Sequence, residues 1–238
     1  MTLIIALNCK DGIVMASDGQ ATVDSAGGPV RLLTQKIFPI GNQLLFGASG
    51  SVGTIQRSLF IMKQLLQQFE GNIDYSVMEG IRKELLKIYK NEIDRHKQFY
   101  EGTDLEDIRN APIADVILCH SKGNNKIIWR IAPDCSDVLL HEIGYACTGS
   151  GDIFAYTLLK NFNVKDLEVE KGKLVAYRVI REAIEIGAFG LGEPIDIWII
   201  NSDGKITQLS KEEIMGLSDS FAAWKETEKE VFRDLVKK

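Results

Sequence analysis

Two apolar runs open the chain without alternation, Leu3 to Leu7 and Ile13 to Ala16, and Asn8-Cys9-Lys10-Asp11-Gly12 separates them. An Asp-Gly step between β-branched runs predicts a hairpin. Continuous rather than alternating hydrophobicity predicts strands buried on both faces. Gln20-Ala21-Thr22 then leads into a loop expected over Asp24 to Pro29. A second hairpin is expected from Gln35 to Pro39 and Leu44 to Ala48, around Ile40-Gly41-Asn42-Gln43. From there the period changes. Ile55, Leu59, Met62, Leu66 and Phe69 recur at helical steps until Gly71-Asn72. A second long helix is expected from Ser76 to Tyr100, with Val77, Ile81, Leu85, Ile88 and Ile93 inward, then a polar loop from Glu101 to Asn110. Strands resume at Ile113 to His120 and Lys126 to Ile131. Gly144-Tyr145-Ala146-Cys147 runs through Thr148-Gly149-Ser150-Gly151-Asp152 into a helix from Ile153 to Asn161, and another follows from Val169 to Ile186. A hairpin of Ile195 to Ile200 with Ile206 to Leu209 precedes a charged amphipathic helix from Ser218 to Val236. The order predicts an α+β fold: two packed sheets with a helical layer outside each.

Composition narrows the function more than the fold. At 238 residues, 45% hydrophobic and 26% charged, the chain suits one sizeable soluble domain spanning 1–238, and no repeat or low-complexity linker divides it. A net charge of −5 gives no reason to expect nucleic acid or an anionic membrane surface as partner. No apolar run reaches the roughly 18 residues that a membrane helix needs. The N-terminus lacks the pattern of a secretory signal, so a cytoplasmic location is the expectation. Cys9, Cys119, Cys135 and Cys147 are scattered, three of them in strand-like contexts where a thiol is a small core residue. His96, His120 and His141 show no ligand spacing, so no metal site is expected.

Candidate chemistry begins at Thr2. A small residue after the initiator Met usually allows Met1 to be removed, leaving a free N-terminal threonine at the head of an apolar strand. Such a residue carries a hydroxyl nucleophile and an α-amine, whose pKa of roughly 7.7–8.0 lets it act as base near neutrality. Asp18 ends the second apolar strand, where the hairpin brings it near the chain start. Lys36 lies on the next strand, and Gly50 ends the strand Leu44 to Ala48 ahead of a helix. Glycine-rich strand-to-helix turns present backbone N–H groups to developing negative charge. Each feature also has an ordinary reading: Lys36 as a solvated charge, Asp18-Gly19 as turn chemistry, Gly50 as a tight approach to a helix. Ser49 to Gly53 lacks the lysine of a phosphate loop, and neither Gly-rich turn has dinucleotide spacing.

Together these residues carry a resemblance. Lys10-Asp11-Gly12 and Ala16-Ser17-Asp18-Gly19-Gln20-Ala21-Thr22 resemble the opening of proteasome β-subunits and of HslV, the Asp-Gly-Gln-Ala-Thr string being closer to HslV. Lys36-Ile37, Gly50-Ser51-Val52-Gly53 and Thr148-Gly149-Ser150-Gly151 follow in the family's order, more like the β-subunit. The similarity reaches about Leu209 and implies the N-terminal-nucleophile hydrolase fold, a four-layer αββα sandwich. It further implies a threonine-type endopeptidase without cofactor or metal. Thr2 would be the nucleophile and its freed amine the base, with Asp18 and Lys36 tuning it. Gly50 N–H would form the oxyanion hole, and Ser150 would bond the amine. Thr22 and Gly50 would pair with the backbone of an extended peptide. The implied partners are peptide or unfolded-protein substrates, further copies in a homo-oligomeric ring, and an ATP-dependent unfoldase. Two departures stand out. Ala188 to Gly192 has neither the Asp nor the Ser that β-subunits carry there, as HslV also lacks them, and a helical extension over about 210–238 exceeds that of HslV. Two other readings stay open, a catalytically silent structural subunit and a non-degradative N-terminal-threonine amidase or transpeptidase. An α-type subunit is disfavoured, because no helical extension precedes the first strand.

Overall fold

The hairpin signalled by Asp11-Gly12 organises the first sheet. In a computed structural model, which describes residues 1–25, 28–42, 44–66, 73–107, 111–187 and 190–236, β1 (Leu3–Cys9) pairs antiparallel with β2 (Gly12–Ser17), Cys9 opposite Gly12. Every residue of both strands is buried, as their unbroken hydrophobicity predicts. Around them lie β10 (Tyr145–Gly149), β11 (Asp196–Asn201) and β12 (Ile206–Gln208), in the order β10-β1-β2-β11-β12. A second five-stranded sheet contains β5 (Ile37–Ile40), β6 (Leu44–Gly50), β7 (Ala114–Lys122), β8 (Asn125–Ile131) and β9 (Asp137–Leu139), each pairing antiparallel with the next.

Side-chain alternation along the strands sorts the interior into layers. Ile4 and Ala6 of β1, with Ile13 and Met15 of β2, face Leu45, Ile117 and Ile128 of the second sheet. Leu3, Ile5, Leu7 and Cys9 point the other way, into a core shared with α3 (Asp152–Leu159), α4 (Val169–Ile186) and α5 (Lys211–Val236). On the far side, Phe46, Val116, Leu118 and Trp129 pack against α1 (Val52–Leu66) and α2 (Tyr75–Tyr100). The layers run helix, sheet, sheet, helix. This is the four-layer αββα sandwich.

Several elements differ from the pattern. The loop expected over Asp24 to Pro29 is instead part of a two-stranded ribbon, β3 (Gln20–Ser25) with β4 (Gly28–Leu33), whose Ala26 and Gly27 fall outside the described residues. Pro29 is compatible with this ribbon, because a two-stranded sheet leaves each strand an edge that needs no N–H. Strand β9 went unanticipated. Helix α2 buries Met78, Ile81, Leu85, Tyr89, Glu92 and His96, while Val77, Ile88 and Ile93 are only half-buried. Two polar residues can face inward because each has a partner: Arg57 lies 2.8 Å from Glu92, and His96 Nε2 donates to the Leu105 carbonyl at 2.8 Å. Helix α5 begins at Lys211 rather than near Ser218. Gln43, Phe69, Gly71, Asn72 and the end of the 101–110 loop lie outside the described residues. Among the described residues, no helix is long and apolar enough to cross a membrane.

Candidate active site around Thr2

Strand pairing decides where the chain start emerges. Leu3 pairs with Gly149, so Thr2 leaves β1 beside the turn in which β10 passes through Ser150-Gly151 into α3. In the other sheet, β6 ends at Gly50 and turns into α1. The two turns face each other: Ser49 Oγ and Thr148 Oγ1 lie 2.8 Å apart, buried, and link the sheets one residue before each glycine. Both turns need glycine. Gly50 (φ 117°) and Gly149 (φ 107°) adopt conformations costly for side-chain-bearing residues, and a side chain would strike the carbonyl of Ile113 or of Thr2 respectively.

Asp18, directly after β2, is fully buried. Its Oδ1 accepts hydrogen bonds from Leu3 N (2.9 Å) and Lys36 Nζ (2.6 Å). Its Oδ2 accepts from Gln20 N (3.2 Å) and Gly192 N (3.3 Å). Lys36 Nζ also donates to the Met1 carbonyl at 3.1 Å. The ion pair thus grips the backbone on both sides of Thr2. Burial lowers the lysine pKa from its usual value, while the charge and hydrogen bond of Asp18 oppose that shift. Ser150 Oγ accepts from Thr2 N (3.4 Å) and donates to the Thr2 carbonyl (3.3 Å), both long contacts.

The structure therefore joins Thr2, Asp18, Lys36 and Ser150 in one bonded group, with Gly50 across the intersheet hydroxyl contact. Thr22 stands half-buried on β3 opposite Arg31 and enters none of these bonds. Lys36 does not lie on a strand as expected. It precedes β5, in the irregular stretch 34–36. Of the segment Ala188 to Gly192, Ala188 and Phe189 lie outside the described residues. The remainder contributes backbone: Gly19 N donates to the Gly192 carbonyl (2.9 Å), and Gln20 Nε2 to the Gly190 carbonyl (3.1 Å). Sequence reasoning missed this wall, the Met1 carbonyl and the Ser49–Thr148 contact. Only the glycine pair Gly190/Gly192 hinted at the first.

Chemically, the group sets a buried ammonium one peptide unit from the Thr2 nitrogen, with a carboxylate maintaining its charge and orientation. The cysteines offer no rival nucleophile, since all four are buried and burial pushes Cys9 up to about 12. Among the described residues no group of three or more His, Cys, Asp or Glu could hold a metal ion.

Residues 2–95 match the family model described as Proteasome subunit, a span containing Thr2, Asp18, Lys36 and Gly50. The chain is 26% identical to a proteasome subunit beta of Methanococcus aeolicus over 219 residues, 92% of each chain. It is 25% identical to that of Methanobrevibacter smithii, covering 90% of this chain and 93% of the relative. A proteasome subunit beta 1 of Pyrococcus furiosus is 25% identical, covering 85% and 93%. The chain is similar to proteasome subunits, over residues 2–95 by the family model and over most of its length by these relatives. The fold also matches the solved structure of Anbu (ancestral beta-subunit) from Yersinia bercovieri, with a TM-score of 0.72 over 97% of each chain. At 13% identity that likeness concerns the fold alone.

Proposed function

We infer that the chain is a threonine-type endopeptidase that acts through Thr2 once Met1 has been removed. The observation that carries this reading is the buried Asp18–Lys36 pair, 2.6 Å apart and bonded to the backbone before and after Thr2. A lysine and an aspartate buried beside an ordinary strand end would be a costly arrangement. Beside a hydroxyl nucleophile they favour its ionised form.

The steps follow from the positions. The Thr2 amine takes the proton of the Thr2 hydroxyl as Oγ bonds to the scissile carbonyl carbon. The carbonyl oxygen, now anionic, turns to Gly50 N–H. The C–N bond breaks as the amine hands its proton to the departing nitrogen, leaving an ester on Thr2. Water, deprotonated by the same amine, hydrolyses that ester and restores the threonine. Ser150 orients the amine, and Thr22 with Gly50 pairs with the extended substrate backbone.

Similarity to proteasome subunits supports a homo-oligomeric ring and peptide or unfolded-protein substrates, which an ATP-dependent unfoldase would feed to the chamber. Residues 1–238 act in this reading as one domain, whose C-terminal extension over about 210–238 includes α5, docked on α4 through Phe221 and Trp224. Four cysteines without disulfides suit a reducing cytoplasm. A second reading is a catalytically silent subunit, the form that a chain keeping Met1 would take. Met1 carbonyl is itself bonded to Lys36, so a chain keeping Met1 has its base acylated and its lysine engaged.

Intact-mass measurement separates the two. A chain beginning at Thr2 should gain the mass of a peptide epoxyketone, and Thr2→Ala should gain nothing and cleave no peptide. A chain that keeps Met1 and does not react would sink the peptidase and leave the silent subunit.

A further inference from the structure

The residue attached to the Thr2 nitrogen occupies a shelf of its own. Met1 turns its carbonyl to Lys36, while its side chain lies over Gly190. A Cβ built on Gly190 would stand 2.9 Å from Met1 Sδ and 3.0 Å from Cε, closer than packed atoms come. Glycine at position 190 lets the Met1 side chain lie this close to the backbone. The shelf is anchored from below by Gln20 Nε2 on the Gly190 carbonyl (3.1 Å), and two residues on by Gly192 N on Asp18 Oδ2 (3.3 Å). Neither bond involves Met1, so the shelf outlasts its removal. Met1 is 56% exposed, so the shelf covers only one side of the residue.

In the proposed reaction the departing nitrogen receives its proton from the Thr2 amine, so it must come within hydrogen-bond reach of that amine. The residue carried by that nitrogen then enters the space beside the amine, which Met1 fills before its removal. We propose that the vacated Met1 seat is the subsite for the first residue of the leaving fragment, selecting a long, flexible apolar side chain such as methionine or norleucine. This rests on the reading of Thr2 as nucleophile and names part of the substrate it takes. A half-covered shelf sets the scale: selectivity of about tenfold in kcat/KM, at the low end of what apolar pockets give.

The test uses chain confirmed by mass to begin at Thr2 and to take up a peptide epoxyketone, which engages the acyl side and needs no leaving fragment. Failure to label would dispose of the nucleophile reading and the subsite together. With labelling secured, internally quenched peptides differing only after the scissile bond (glycine, alanine, norleucine, methionine, tryptophan) report on the shelf alone. The expected result is a kcat/KM about tenfold higher for norleucine and methionine than for glycine. Gly190→Ala, and Gly190→Asn, which suits the φ of 58° better, should each shrink that ratio to within about twofold by placing a Cβ on the shelf. Equal rates across the series, a best rate with glycine or tryptophan, or a ratio surviving in both variants would overturn the assignment while leaving the nucleophile intact.

Discussion

Asp18 accepts four hydrogen bonds at zero exposure, and only one comes from a charged donor. Its role is therefore structural as well as electrostatic, and substitution separates the two. Asp18→Asn turns one acceptor atom into a donor and strips Lys36 of its counter-charge. That variant should lose about 3 kcal/mol in urea unfolding and label poorly with an epoxyketone. Pairing it with Lys36→Met removes the stranded charge as well, so the double variant should be more stable than Asp18→Asn alone; an equal or larger loss would show that the ion pair is not what matters. At this scale the sequence was partly legible. Thr2, Asp18 and Gly50 could be found because they stand at strand ends, where the apolar pattern stops. Gly190, Gly192 and the Met1 carbonyl could not, because they contribute backbone atoms and no side-chain type announces them.

Elements were read best where burial alone sets their period. Helix α4 spans Val169–Ile186, as its apolar stripe predicts. Helix α2 is shifted in phase because Arg57 and the Leu105 carbonyl let Glu92 and His96 face inward. The start of α5 had a readable signal that apolar spacing overlooks: Ser210 Oγ accepts from Glu213 N (3.2 Å) while Glu213 Oε2 accepts from Ser210 N (2.7 Å), a capping box. From there α5 docks on α4. Phe221 packs edge-on to Tyr177, and Trp224 lies under the Arg178 guanidinium at 4.3 Å. Phe221→Ala should cost about 3 kcal/mol in thermal or urea unfolding. Val231→Ser, on the exposed end of the same helix, should change stability by less than about 0.5 kcal/mol. Comparable losses at both positions would mean that the outer end of α5 is packed rather than free.

For the molecule as a whole, the three apolar layers have a common consequence for its response to base. Burial raises the thiols of Cys9, Cys119, Cys135 and Cys147 and the phenol of Tyr89, Cys9 to about 12. A pKa higher in the folded than in the unfolded chain stabilises fully below the unfolded value and loses that contribution as pH rises toward the folded one. For Cys9 the window runs from 9.0 to about 12. Lys36, held low by burial, acts in the opposite sense, one group against these five and Tyr156, whose phenol burial also raises. The urea midpoint should therefore be level through neutral pH and fall above about pH 9, and native protein should not react with a thiol reagent at about pH 8 until it is unfolded. A midpoint that rises above that pH would contradict the burial of these groups.

The sandwich also imposes an order in time. Thr2 meets its cover, Ser150, across 148 positions of chain. At a synthesis rate of about 5–20 residues per second, the ribosome needs about 7–30 s to make that intervening length. During that interval the start of the chain is outside the ribosome with neither β10 nor the Gly190 shelf yet in existence, open to an aminopeptidase. Once β1 is flanked on both sides, Met1 is tethered through its carbonyl to Lys36. If Thr2 acts as proposed, processing and folding would compete on the nascent chain, and protein refolded from inclusion bodies would inherit whichever N-terminus was settled then.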